Sequence, residues 1–390
     1  MSRFRPLLTR WLAAADRRLD HLKHSYKWRR DRWRGLRIAS YFGYATADRV
    51  LLSGRVLDDE PHHPPEDPSL WTNFWNTLER IDSDEVPGAR VRLDLAGESA
   101  TAEADEEGYF RFELPTPASL VPGRRWQGRL TLLAPAGHDV EATAAGLFPG
   151  PACRFAVVSD LDDTVVVTGA KSRLRMTRTV LFNNAQTRVP MPGIGALYRA
   201  LEAGRGGGGS GEDNPIFYVS SSPWNLYSLF AEFMRHHDVP EGPIFLRDFG
   251  FDRDKLWKKP HEEHKPELIR RLLADYPGLG FVLMGDSGQK DPEVFRRLAD
   301  EHPGRVTAIF VRDVTPPARD REVHEIVREL ERQGVPMALA ETSEAMAERA
   351  AELGLIAPAA VAEVAAAEER DAERPAPRGV ARWLLGASSR

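Results

Sequence analysis

A single cysteine, Cys153, stands among 390 residues, so no disulfide can form within the chain and a bridge-stapled scaffold is excluded. A reducing compartment fits that usage. Long apolar runs are lacking as well: no stretch approaches the roughly 18 residues that a membrane-spanning helix needs. The first 18 residues contain no signal-peptide core, because Arg3, Arg5 and Arg10 interrupt them. A cytoplasmic location is therefore expected. Strong net charge is also missing. The total is −5 at neutral pH, and 42% hydrophobic with 28% charged residues is the composition of a folded protein, which excludes wholesale disorder and a collagen-like chain. At about 150 residues per domain, two or three domains are expected.

The near-neutral total hides an asymmetry. Residues 1–38 carry 12 Lys or Arg against 3 Asp or Glu, a local +9 that leaves −14 on the remainder. In the same stretch Leu8, Leu12, Ala15, Leu19, Leu22 and Tyr26 recur at steps of three and four, the pattern of an amphipathic helix over residues 5–30. Basic residues and Trp11, Trp28 and Trp33 surround that stripe. Such a helix suits an anionic membrane surface, and it fits equally a helix docked on its own domain with a solvated basic face. No nucleic-acid partner is expected.

From residue 48 to 150 the text changes to short alternating runs, Val50–Val56, Ala89–Leu95, Tyr109–Leu114 and Gly128–Leu133, with turn signals at Pro87-Gly88 and Glu107-Gly108. Period two between turns predicts a small antiparallel β-sandwich. From 151 to 335 compact apolar runs at Phe155–Ser159, Ile216–Val219, Phe281–Met284 and Val306–Val311 alternate with helical segments such as Leu226–His236 and Pro266–Asp275. That alternation predicts an α/β domain with a parallel sheet. The glycine run at 206–209 is expected to be a loop without chemistry, and residues 336–390 an Ala/Glu-rich helix followed by a mobile, Pro-containing tail.

Chemistry concentrates where apolar runs end. Phe155-Ala156-Val157-Val158 leads into Ser159-Asp160-Leu161-Asp162-Asp163-Thr164, so Asp160 and Asp162 emerge two residues apart at a strand's C-terminal end, where α/β sheets place their sites. Carboxylates this close repel one another, and a divalent cation relieves the repulsion while binding a phosphate oxygen. A second run ends in Gly285-Asp286-Ser287-Gly288-Gln289-Lys290-Asp291, whose acids extend an oxygen-rich site suited to Mg²⁺. Between them lies Ser220-Ser221-Ser222-Pro223-Trp224, hydroxyl donors at a strand end. Lys265, at the start of the helix before the Asp286 strand, can supply fixed positive charge. His236, His237, His261 and His264 have the composition of a zinc cluster, but their Lys and Glu neighbours mark solvated helix faces.

In this order the motifs resemble those of the haloacid dehalogenase superfamily, and their wording is similar to that of the actin-patch-associated phosphatidate phosphatase family and its bacterial relatives. The resemblance spans about residues 150–315 and implies a haloacid-dehalogenase-like Rossmannoid sheet. It implies that Asp160 attacks phosphorus to form an aspartyl-phosphate and that Asp162 is the acid/base. Mg²⁺ would be held by Asp160, Asp286 and the Asp162 carbonyl, with Thr164 and Asp291 in support. Ser220 or Ser221 would contact the phosphoryl group. Lys265 is preferred over Lys258 and Lys259 because the family's basic residue opens the same helix. Trp224 is either a core aromatic or a wall of the substrate pocket. The implied substrate is a lipid phosphate such as phosphatidate at the inner membrane face. A phosphatase of soluble or protein phosphomonoesters, and a lipid-binding scaffold with a vestigial catalytic domain, are the alternatives.

Overall fold

The computed structural model of the chain describes residue 33 and residues 35–58, 84–161, 191–206, 211–247, 263–314 and 319–373. The basic helix expected over residues 5–30, most of the glycine run and the last residues of the tail lie outside this set.

Two sheets follow one another along the chain. The first contains β1 (Leu36–Ser40), β2 (Gly43–Ala45), β3 (Arg49–Asp58), β4 (Asp84–Glu85), β5 (Arg90–Leu95), β6 (Glu98–Glu103), β7 (Tyr109–Pro115), β8 (Arg124–Ala134) and β9 (Glu141–Phe148). The four runs read from the sequence are β3, β5, β7 and β8. In β5, Val91, Leu93 and Leu95 are buried while Arg90 and Arg92 face solvent, the alternation that a one-sided strand requires.

The strands form one hydrogen-bonded sheet rather than two separate ones, because β3 is shared. One edge of β3 pairs β2 at Val50 and Leu51 and β1 from Gly54 to Asp58; the other pairs β7 from Arg49 to Arg55 and β4 at Leu57 and Asp58. From β2 the ladder passes in parallel to β9, then antiparallel through β8, β5 and β6. The sheet turns back on itself around a core that includes Val50, Leu52, Leu93, Phe110, Trp126 and Leu130. Gly43 permits that close approach, since a Cβ there would strike the Leu51 carbonyl oxygen and the Trp126 ring. The sheet begins at Leu36 and not near residue 48, so the last residues of the expected basic helical segment, Leu36 to Ile38, belong to a strand.

The second sheet is parallel throughout. Its strands are β10 (Phe155–Asp160), β11 (Ile216–Pro223), β12 (Ile244–Arg247), β13 (Gly280–Asp286), β14 (Val306–Arg312) and β15 (Met337–Ala340), in the spatial order β12-β11-β10-β13-β14-β15. Helices α1 (Ile194–Ala203), α2 (Tyr227–His236), α6 (Ser343–Glu352) and α7 (Ala360–Glu373) contribute to one apolar layer, with Leu197, Phe230, Met346 and Val364 inward. Helices α3 (His264–Asp275), α4 (Asp291–Glu301) and α5 (Asp320–Arg332) contribute to the other, through Ile269, Leu298 and Leu330. With both faces covered, every residue of β10 is buried, which is why these strands read as continuous apolar runs. From β10 the chain moves outward through β11 and β12, then returns to the opposite side of β10 with β13. The carboxyl ends of β10 and β13 therefore flank a topological switch point, the place where open α/β sheets bind ligands.

The boundary expected near residue 335 needs correction. Met337–Ala340 is the sixth strand, paired to β14 from Ile309 to Arg312, and Met346, Ala347 and Ala350 of α6 enter the same core. The Ala-rich text beyond residue 341 is helical as expected, and small side chains let α6 and α7 pack closely; α7 buries Val364 and Ala367.

Candidate active site

Asp160 ends β10 and Asp286 ends β13, and the two strands are parallel neighbours with Ser159 opposite Met284. Both carboxylates thus arrive at the same end of the sheet. Asp291 opens α4 five residues later, and its Oδ2 accepts the Asp286 backbone N–H at 3.2 Å. Asp160 is 7% exposed, Asp286 2% and Asp291 2%, and one carboxylate oxygen from each lies within 4.8 Å of the others. Lys265, in the first turn of α3, donates from Nζ to Asp160 Oδ2 at 2.5 Å and to Asp291 Oδ1 at 3.4 Å.

Two glycines make this convergence possible. A Cβ at Gly285 would run into the Asp291 carboxylate, and one at Gly288 would meet Asp286 Oδ1 at 2.9 Å. The Gln289 N–H donates to that same Oδ1 at 2.9 Å. Arg319 locks the loop from behind, donating to the Gln289 carbonyl at 2.6 Å and pairing with Glu293.

Among the described residues, three buried carboxylates and the Lys265 ammonium form an oxygen-rich set in low dielectric. The donor chemistry fits a hard divalent cation. Asp291, expected only in support, is one of the three potential ligands, and among the described residues that cluster contains no histidine. Asp162 and Thr164, like Lys258, Lys259 and His261, lie outside the described residues.

Val219 of β11 is the register partner of Asp160. Ser220, one residue further, is fully buried, and its Oγ accepts the Ser222 N–H at 2.9 Å; Ser221 is half-buried. A cavity of about 50 Å³ opens beside Asp160 and Asp286, with Tyr198, Met284, Phe310 and Met346 on its apolar side. Trp224 is not among the lining residues; it packs instead against Tyr41 and Tyr227, with ring centroids 5.1 and 6.0 Å away. Trp224 is half-buried and packs on the core of the parallel layer.

Tyr198 was not apparent from the sequence. Its Oη lies 2.6 Å from Ser159 Oγ, directly behind Asp160, and burial pushes its hydroxyl up to about 12, with the Asp160 charge adding to the rise. The available signal was the helical period of α1, where Leu197, Tyr198 and Leu201 share the buried face.

Residues 155–313 match the family model described as phosphatidate phosphatase APP1, catalytic domain. The phosphatidate phosphatase APP1 of Saccharomyces cerevisiae is 27% identical over 279 residues, covering 67% of this chain and 45% of the relative. An uncharacterized protein of Schizosaccharomyces pombe is 24% identical over 217 residues, covering 53% of this chain and 33% of the relative. The chain thus spans less than half the length of either. A solved carbohydrate acetylesterase from Xanthomonas citri aligns at a TM-score of 0.24 and 11% identity over 73% of this chain and 71% of its own, too remote to bear on fold or chemistry.

Proposed function

We propose that this chain, whose residues 155–313 match the family model described as phosphatidate phosphatase APP1, catalytic domain, is a metal-dependent phosphomonoesterase with haloacid-dehalogenase-like chemistry, acting on phosphatidate or a related lipid phosphate. The observation that carries this reading is the meeting of Asp160, Asp286, Asp291 and Lys265 at the switch point, inside the matched segment.

In this mechanism an Asp160 carboxylate oxygen attacks phosphorus as the bond to the leaving oxygen breaks, and Asp162 gives its proton to that oxygen. Water then attacks the aspartyl-phosphate, Asp162 takes the proton back, and inorganic phosphate leaves. Lys265 orients Asp160 and offsets charge on the transferred group. Ser220 or Ser221 donates to a phosphoryl oxygen. Asp160, Asp286 and Asp291 would hold Mg²⁺, which when bound supplies electrostatic stabilisation of a phosphoryl oxygen. Asp291, linked to both Lys265 and the Asp286 backbone, keeps the two halves of the site in register.

The division into an N-terminal basic segment, a β-rich region and a catalytic region is part of the same proposal, with the basic segment docking the enzyme on anionic lipid. No helix among the described residues is long and apolar enough to cross a membrane, which is compatible with a peripheral role. The test is phosphate release by the full chain from a panel of lipid and soluble phosphomonoesters, with Mg²⁺ and with a chelator. Metal-dependent release that favours vesicle-borne phosphatidate supports the proposal. Release from soluble esters alone would leave the chemistry and remove the lipid substrate; no release from any ester would contradict both.

A further inference from the structure

The first sheet meets the parallel sheet beside the strand that carries Ser220. Tyr41, in the turn between β1 and β2, is 5% exposed, and its ring centroid lies 4.0 Å from that of Tyr227 at 28° and 5.1 Å from that of Trp224 at 14°. Trp224 and Tyr227 are themselves near-parallel at 14°. Next to the stack, the Phe42 N–H donates to Tyr227 Oη at 2.6 Å. Trp224 directly follows Pro223, the end of β11, so only Ser221, Ser222 and Pro223 separate it from Ser220.

A second group of contacts holds the same edge against α3. Tyr44 Oη donates to Asp275 Oδ2 at 2.8 Å, Arg49 pairs with Asp275 Oδ1 at 2.5 Å, and Tyr276 Oη donates to the Ala45 carbonyl at 3.0 Å. The β1–β2 edge is thereby fixed at both ends of its run over the parallel layer, and Tyr41 reaches the serine turn from a rigid base.

We propose that Tyr41 is a positioning residue: its ring, supplied by the N-terminal sheet, clamps Trp224 and Tyr227 and so fixes the turn that presents the Ser220–Ser222 hydroxyls to the phosphoryl group. The inference rests on the proposed role of that turn in phosphoryl binding and assigns the N-terminal sheet a part in catalysis. Its physical basis is that a flat ring packed against both of two mutually stacked rings fixes their orientation as well as their burial. Near-attack geometry is steep enough that a displacement of about 1 Å costs on the order of a hundredfold in rate.

The alternative is that the stack only joins the two sheets. Tyr41→Leu keeps apolar bulk and removes the flat ring; Tyr41→Phe keeps the ring. Tyr276→Phe removes the hydroxyl that bonds Ala45 in the same interface, on a ring that packs against Phe217 and Tyr44 rather than in the Tyr41–Trp224–Tyr227 stack. In the full chain with Mg²⁺ and p-nitrophenyl phosphate, Tyr41→Leu is expected to lower kcat at least about tenfold, while Tyr41→Phe and Tyr276→Phe stay within about twofold even where Tm falls. Amide hydrogen exchange over residues 221–226, which needs no turnover, should accelerate in Tyr41→Leu and not in the other two. Unchanged exchange in Tyr41→Leu, or equal losses of kcat in Tyr41→Leu and Tyr276→Phe, would overturn the proposal. A wild-type protein inactive on every phosphomonoester would contradict the functional reading instead, and the exchange measurement would still decide whether Tyr41 holds the turn.

Discussion

An aspartate in the first sheet and one in the second show how burial sorts carboxylates that look alike in text. Asp94 of β5 sits in an alternating strand beside Arg92 and Ser99 and is partly open to solvent, so water and neighbours satisfy it at little cost. The hydrogen bond from Ser99 holds its carboxyl below the usual range, with Arg92 adding to the fall. Asp160 of β10 ends a strand buried along its whole length, and its compensation comes from Lys265 within a cluster of three carboxylates. A one-sided antiparallel sheet scatters charge over its outer face; a two-sided parallel sheet can place charge only at its strand tips, and there it accumulates.

The largest expected effect breaks the comparison at Asp160. Asp160→Asn should lower turnover by at least about a thousandfold, because an amide cannot attack phosphorus. Its thermal unfolding should stay near wild type, since one of three repelling carboxylates is neutralised. Turnover within tenfold of wild type would remove Asp160 from the nucleophile role. Next comes Asp286→Ala, which should raise the Mg²⁺ concentration for half-maximal activity by about a hundredfold or more, given that even outer partners of a metal ligand are worth 10–100-fold. A metal titration that superimposes on wild type would contradict the assignment.

A matched pair of core truncations sharpens the contrast further. Leu93 and Leu283 are both fully buried, one in each sheet. Leu93→Ala and Leu283→Ala should each cost about 2–5 kcal/mol in denaturant unfolding. Leu283, three residues before Asp286 on β13, should also lower kcat several-fold, whereas Leu93 should leave it unchanged at a temperature where both variants are folded. Equal effects on kcat would mean that the two sheets are not functionally distinct in this way. The smallest effect is Asp94→Asn, with turnover unchanged and only a slight fall in Tm at neutral pH, a fall that disappears in acid. Because the folded carboxyl titrates below its ordinary value, the interaction it makes is present above that value and is lost as pH falls through the lowered one.

The parts of this architecture that were legible in sequence are those where one local pattern suffices. Strands β5 and β7 alternate, β3 carries the short apolar runs Val50–Leu52 and Val56–Leu57, and β10, β11, β13 and β14 are apolar runs long enough to stand out. The acids at the tips of β10 and β13 followed from position alone. Strand β6, Glu-Ser-Ala-Thr-Ala-Glu, has no large apolar residue, and β9 is built on small ones, so partners rather than composition make them strands. Strands β12 and β15 have only four residues each, too few to show a period. Asp291 as a member of the carboxylate cluster depends on the turn at Gly285–Lys290 folding α4 back onto β13, and Tyr41 reaches Trp224 across more than 180 residues of chain. Neither relation has a local signature.

The central claim, that Asp160 accepts the phosphoryl group, is tested most directly by mixing the full-length chain with Mg²⁺ and a phosphomonoester substrate, quenching in acid within the first turnover, and mapping the phosphoryl group by peptide mass. A phosphoryl group on the peptide containing Asp160, formed and lost at rates compatible with kcat and absent from Asp160→Asn, is the predicted result. Steady turnover with no phosphoryl group on that peptide at any quench time would contradict the account.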